Sequence, residues 1–122
     1  MMLAYPVLVS AQRFDFGREL CYVAFDDNTY LPVTRANICE HKIGVSVHFW
    51  NYIHNRLIRY SHASAHPPKE FQESVVRLAM DDGKRKWYVD AHGWFVSDGC
   101  AGRIPANIKR RIIRRLEWIV RG

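Results

Sequence analysis

Arg110, Arg111, Arg114, Arg115 and Arg121 crowd the stretch that follows Pro105, with Lys109 beside them and Glu117 as its one carboxylate. Each guanidinium presents a planar fork of donors that matches the oxygens of a phosphate or a carboxylate. Trp118, in the same run, offers a flat ring on which a base can stack. On a helical projection the apolar residues Ile108, Ile112, Ile113, Leu116, Ile119 and Val120 cover an arc of about 140°. The arginines and Trp118 fill the other side, so the spacing predicts a helix with one packing face and one positive stripe. The alternative is a solvated helix side whose arginines pair with the domain's own carboxylates. Basic residues late in a helix also complement its dipole, which gives Arg114, Arg115 and Arg121 a local structural use.

Other residues suggest further chemistries. His48, Asn51, Asn55, Arg59 and His62 recur at i, i+3, i+4 spacing, a stripe of donors and acceptors suited to base edges or phosphates, or simply to water. Asp90, His92 and Asp98 lie close in sequence and could supply a general base with an orienting carboxylate, although Asp and His are also ordinary turn formers. Cys39 and His41, and His62 and His66, match no metal-binding spacing, so no metal and no cofactor are expected. Gly99 and Gly102 before the helix at Pro105 read as a flexible loop sooner than an anion-binding turn. Trp87, Tyr88, Trp94 and Phe95 sit on one short hairpin and cannot all face inward, because neighbouring strand residues point to opposite sides. Trp87 and Trp94 are therefore taken with the arginines as a candidate partner-binding set.

The elements that must position these residues follow from the pattern. Residues 5–11 and 19–34 have strand composition, and Asp26-Asp27-Asn28 suggests that 19–34 is a hairpin with Pro32 on an edge. Val45 to His62 reads as a first helix, with Val45, Phe49, Trp50, Ile53, Leu57 and Tyr60 on one side. A second helix is expected from Pro68 to Met80, stopped by Gly83, with a strand as the alternative over 69–80. Lys86 to Val96 forms a hairpin turning at Ala91-His92-Gly93, Ser97 to Gly102 a loop, and Pro105 to Val120 the third helix. Helix, Pro-Pro connector, helix and hairpin resemble a winged helix-turn-helix only in order, since the second helix would be acidic through Glu70, Glu73, Asp81 and Asp82.

At 122 residues, 48% hydrophobic and 25% charged, residues 1–122 should form one globular domain. Strands and helices in blocks without βαβ alternation predict a small α+β fold, antiparallel hairpins packed with about three helices. The net charge of +6 is concentrated after residue 104, because residues 1–104 carry 12 basic and 11 acidic side chains. No stretch is apolar enough to span a membrane. The apolar start lacks the features of a signal peptide, and three cysteines without repeated spacing argue for a reducing, cytoplasmic setting.

These observations lead to a non-enzymatic protein that docks its basic helix on nucleic acid or a nucleic-acid-handling complex. Arg110, Arg111, Arg114, Arg115, Trp118 and Arg121 would carry the contact, helped by Trp87, Trp94, Asn51, Asn55 and Arg59. Two alternatives stand beside it: an inhibitor or adaptor binding one acidic protein, and a small nuclease or hydrolase using His92 with Asp90 or Asp98. The exposed aromatics would also suit a homodimer.

Overall fold

The computed structural model describes residues 17–25 and 32–121. Among these residues, seven strands form one sheet: β1 (Arg18–Tyr22), β2 (Lys42–Val45), β3 (Ser61–Ala63), β4 (Val76–Asp81), β5 (Lys86–Asp90), β6 (Trp94–Ser97) and β7 (Cys100–Arg103). Their order is β2-β1-β4-β5-β6-β7-β3, and neighbouring strands pair antiparallel. Strands β4 to β7 make a continuous meander because their turns are short and each holds a glycine at positive φ, Gly83, Gly93 and Gly99. Asp90 fixes the β5–β6 turn: its Oδ1 accepts from the backbone N–H groups of His92 and Trp94, and its Oδ2 from that of Gln72.

Helix α1 (Val47–Tyr60) leaves the edge strand β2 and delivers the chain to the opposite edge strand β3. Its 14 residues extend about 21 Å, against about 29 Å for the six strand spacings between those edges, so the helix must lie across the strands. Ser46 caps its start, the Oγ accepting from Phe49 N–H at 3.2 Å. Helix α2 (Ala106–Arg121) follows β7 and lies on the same side of the sheet. Trp50, Ile53 and Leu57 from α1 and Ile108, Ile112 and Leu116 from α2 close over Leu20, Leu78, Trp87, Val89 and Phe95. Gly102 lets α1 approach, because a Cβ there would overlap the Tyr60 carbonyl oxygen and the Phe95 ring.

Among the described residues, the other side of the sheet is covered by non-helical chain segments and the 3₁₀ turn. Val33, Ile38 and Phe71 pack there on Val76, Ala79, Val96 and Ala101. A disulfide between Cys21 and Cys39 ties β1 to the 3₁₀ turn at Ile38–Glu40.

Several expectations are corrected by this arrangement. Residues 68–80 are not a helix: turns lead into β4, a central strand whose Val76 to Met80 are buried on both faces, and such a run has no alternation to mark it. The expected 19–34 hairpin is replaced by pairing of β1 with β2 and β4. Its Asp26-Asp27-Asn28 turn lies outside the described residues, and Val33 makes a parallel bridge to Val75. Ser97 to Gly102 is not a loop, since Cys100–Arg103 is strand β7. The described residues hold two α-helices and a 3₁₀ turn, not three helices. The cysteines are not all free, as Cys21 and Cys39 are bonded and Cys100 is the buried free thiol. The strand expected over residues 5–11 lies outside the described residues. No helix among the described residues is long and apolar enough to cross a membrane.

Candidate polyanion-binding face

Helix α2 starts where the Ile104 N–H is held by the Gly93 carbonyl and Pro105 begins the first turn, its carbonyl accepting from Lys109 N–H. The Lys109 ammonium donates to the Ala91 carbonyl at 3.1 Å, which fixes the helix start against the β5–β6 turn. With Ile108, Ile112 and Leu116 inward, the 3.6-residue period turns Arg110, Arg111, Arg114, Arg115 and Arg121 out to solvent, where all five are exposed. Trp118 is 67% exposed, and the Arg115 guanidinium lies 5.3 Å from its ring centroid. Among the described residues none of the five arginines forms an ion pair with a carboxylate; the ion pairs there are Arg35–Glu73 and His54–Asp82.

The start of α1 borders this face. A shallow groove of about 320 Å³ runs between the helices, lined by Ser46, His48, Phe49, Tyr52, Arg111 and Arg115. Arg115 also lies 5.9 Å from the Phe49 ring centroid, and Arg56 stands 4.8 Å from that of Tyr52. No acidic residue lines the groove, and the first turn of α1 has none. His48, Asn51, Asn55 and Arg59 are exposed on α1, as their spacing implied, and His62 is exposed on β3. The two polar stripes thus belong to the same helical layer.

The aromatic hairpin divides as the strand rule requires. Trp87 is 1% exposed, in the core beneath the helices, with its Nε1 donating to Asp82; burial removes it from any binding surface. Trp94 is half-buried on the far side of the sheet under Arg103, away from α2. Asp90 spends its carboxylate on three backbone N–H groups, which is turn-holding chemistry, while His92 and Asp98 are exposed in turns. No group of three or more metal-ligating side chains occurs among the described residues.

Two features escaped the sequence reading. His54 Nε2 lies 2.7 Å from Asp82 Oδ2, with the His54 ring 5.0 Å from that of Trp50 and edge-on to Trp87 at 6.0 Å. Burial pushes the Asp82 carboxyl up, but donation from Trp87, from the Arg85 and Lys84 backbone and from His54 outweighs it and holds the group well below the ordinary carboxylate range. The second feature is the β4–β5 turn and the first residue of β5, where Lys84, Arg85 and Lys86 border a cleft that opens on the side of the sheet opposite α1 and α2. The sequence signal for it is Asp82-Gly83, a hairpin-turn pair that also fits a helix stop.

Comparison with protein-family models, with curated proteins and with solved structures finds no match to this chain.

Proposed function

We propose that this is a non-enzymatic binding protein that docks the arginine face of α2 on nucleic acid or a nucleic-acid-handling complex. The observation that carries the reading is that Arg110, Arg111, Arg114, Arg115 and Arg121 are exposed along one helix side with no carboxylate partner among the described residues. Charges left without internal partners are available to phosphates, and Trp118 beside Arg115 provides a surface for an unpaired base. Asn51, Asn55 and Arg59 extend the polar layer on α1.

Binding to mixed-sequence duplex DNA and to single-stranded RNA, at low and near-physiological salt, tests this, with Arg111→Glu/Arg115→Glu as control. Salt-sensitive binding that the variant loses supports nucleic acid as the partner; absence of binding at low salt overturns that version and leaves a protein partner, which a pull-down then tests.

One observation favours an acidic protein as the partner. Trp118 and Val120, 67% and 56% exposed, place large apolar surface next to the arginines, a mixture common at protein interface hot spots. That reading expects a tight stoichiometric complex and no general affinity for DNA or RNA.

A further inference from the structure

Among the described residues, the side of the sheet opposite α1 and α2 is left uncovered beyond Val33, Ile38 and Phe71, and there a cleft of about 600 Å³ lies against β5, β6 and the start of β7. A second hollow of about 390 Å³ shares Arg35, Asp81, Lys86 and Tyr88 with it and runs toward β1 and β2. The larger cleft falls in the size range of small-molecule sites. We propose that it binds a phosphate-bearing ligand with a planar ring, of the nucleoside monophosphate class, at a site separate from the α2 face.

Charge argues for the phosphate. Arg35, Lys84, Arg85 and Lys86 line the cleft against Asp81 and Asp98. Although Lys86 is the register partner of Asp81 across the hairpin, neither Lys84 nor Lys86 pairs with a carboxylate among the described residues. Arg85 donates to Cys100 Sγ at 3.4 Å, and Cys100 belongs to the helix-side cluster. Lys84 and Lys86 therefore border the cleft without a carboxylate partner among the described residues, beside Arg35, and such unneutralised ammonium groups suit a phosphate.

Shape argues for the ring. Tyr88 is half-buried on this side, and the Arg35 guanidinium, anchored by Glu73 at 2.6 Å, stands 6.0 Å from its ring centroid. Together they give a ligand ring an aromatic surface with a cation at its border. Asp81 and Asp98 can accept from sugar hydroxyls or exocyclic amino groups, which an inorganic anion lacks.

The experiment titrates the full chain with adenosine monophosphate, inorganic phosphate and a short single-stranded oligonucleotide, read by calorimetry and amide chemical shifts. Three variants are compared: Lys84→Glu/Lys86→Glu, Tyr88→Leu and Arg111→Glu/Arg115→Glu, each checked for native circular dichroism. Saturable binding of the mononucleotide is expected, with phosphate alone weaker. The hairpin pair should lose about tenfold or more and Tyr88→Leu about fivefold, with the helix pair unchanged. The site is overturned if the mononucleotide does not saturate, or if the hairpin pair binds it as the wild type does. An oligonucleotide that depends on the hairpin lysines while the mononucleotide fails to bind also overturns the small-ligand assignment. Because the helix pair is the control, failure here leaves the α2 proposal standing, and the reverse holds too.

Discussion

Replacing Arg111 and Arg115 with glutamine removes two of the five exposed arginines of α2 without touching Ile108, Ile112 or Leu116, which hold the helix to the sheet. If each of the five arginines neutralises one phosphate on duplex DNA, log affinity should fall with log salt at a slope of about −4.5. A rise from about 50 to about 200 mM salt then weakens the wild type by about 500-fold, and the variant, with a slope of about −2.7, by about 40-fold. Being solvent-exposed substitutions, the two changes should alter folding stability by no more than about 0.5 kcal/mol. Fluorescence anisotropy on a labelled duplex across a salt series measures both slopes, and a urea melt measures stability. A wild-type slope near zero would refute the electrostatic reasoning. So would a slope that the variant leaves unchanged, since the arginines would then not be the contact.

Three further outcomes follow from the packing. Gly102→Ala places a methyl against the Tyr60 carbonyl and the Phe95 ring, and should destabilise the fold by about 1–3 kcal/mol in a denaturant melt. Thiol titration of the denatured, unreduced protein should find one reactive group, Cys100, and three after reduction; Cys21→Ser/Cys39→Ser should cost about 3 kcal/mol from loss of the crosslink. Because the folded Asp82 carboxyl is held below its ordinary value, its contribution to stability is complete above about pH 4 and is lost as pH falls toward the lower folded value. Asp82→Ala should flatten that acid limb and, by leaving Trp87 Nε1 without an acceptor, remove about 1–3 kcal/mol at neutral pH.

Local signals were legible where a segment has one wet face and one dry face. Helix α1 was expected over 45–62 and occupies Val47–Tyr60; α2 was expected over 105–120 and occupies Ala106–Arg121. The β5–β6 hairpin turns at Ala91-His92-Gly93, where its turn residues placed it. The α+β class with an antiparallel sheet was also legible, whereas the number of helices was not. Periodicity fails for β4 because both faces of that strand are buried, and a short apolar run with no alternation fits a helix as well. It fails for β7 because Cys100, Ala101 and Gly102 have small side chains, Gly102 being required by the close approach of Tyr60 at the end of α1, and composition alone reads them as a loop. The Cys21–Cys39 bond joins residues that come together only through the 3₁₀ turn folding back on β1. The exposure of the arginines was implied by spacing; the absence of carboxylate partners among the described residues is a property of the tertiary arrangement. Trp87 was placed on the surface set because parity shows that hairpin aromatics must divide between faces, yet not which of them goes inward.

The passage of α1 from one sheet edge to the other bears on how the chain folds. The β4–β7 meander is built from neighbours in sequence, so its loop-closure entropy is small and it can form early. Strands β2 and β3 have no such route: β2 depends on β1, β3 pairs with β7, and a single rigid segment connects them. Docking of that segment on the meander positions both margins of the sheet together. Amide protons of β2 and β3, although at opposite ends of the sheet, should therefore exchange with solvent as one cooperative unit, released before those of the meander.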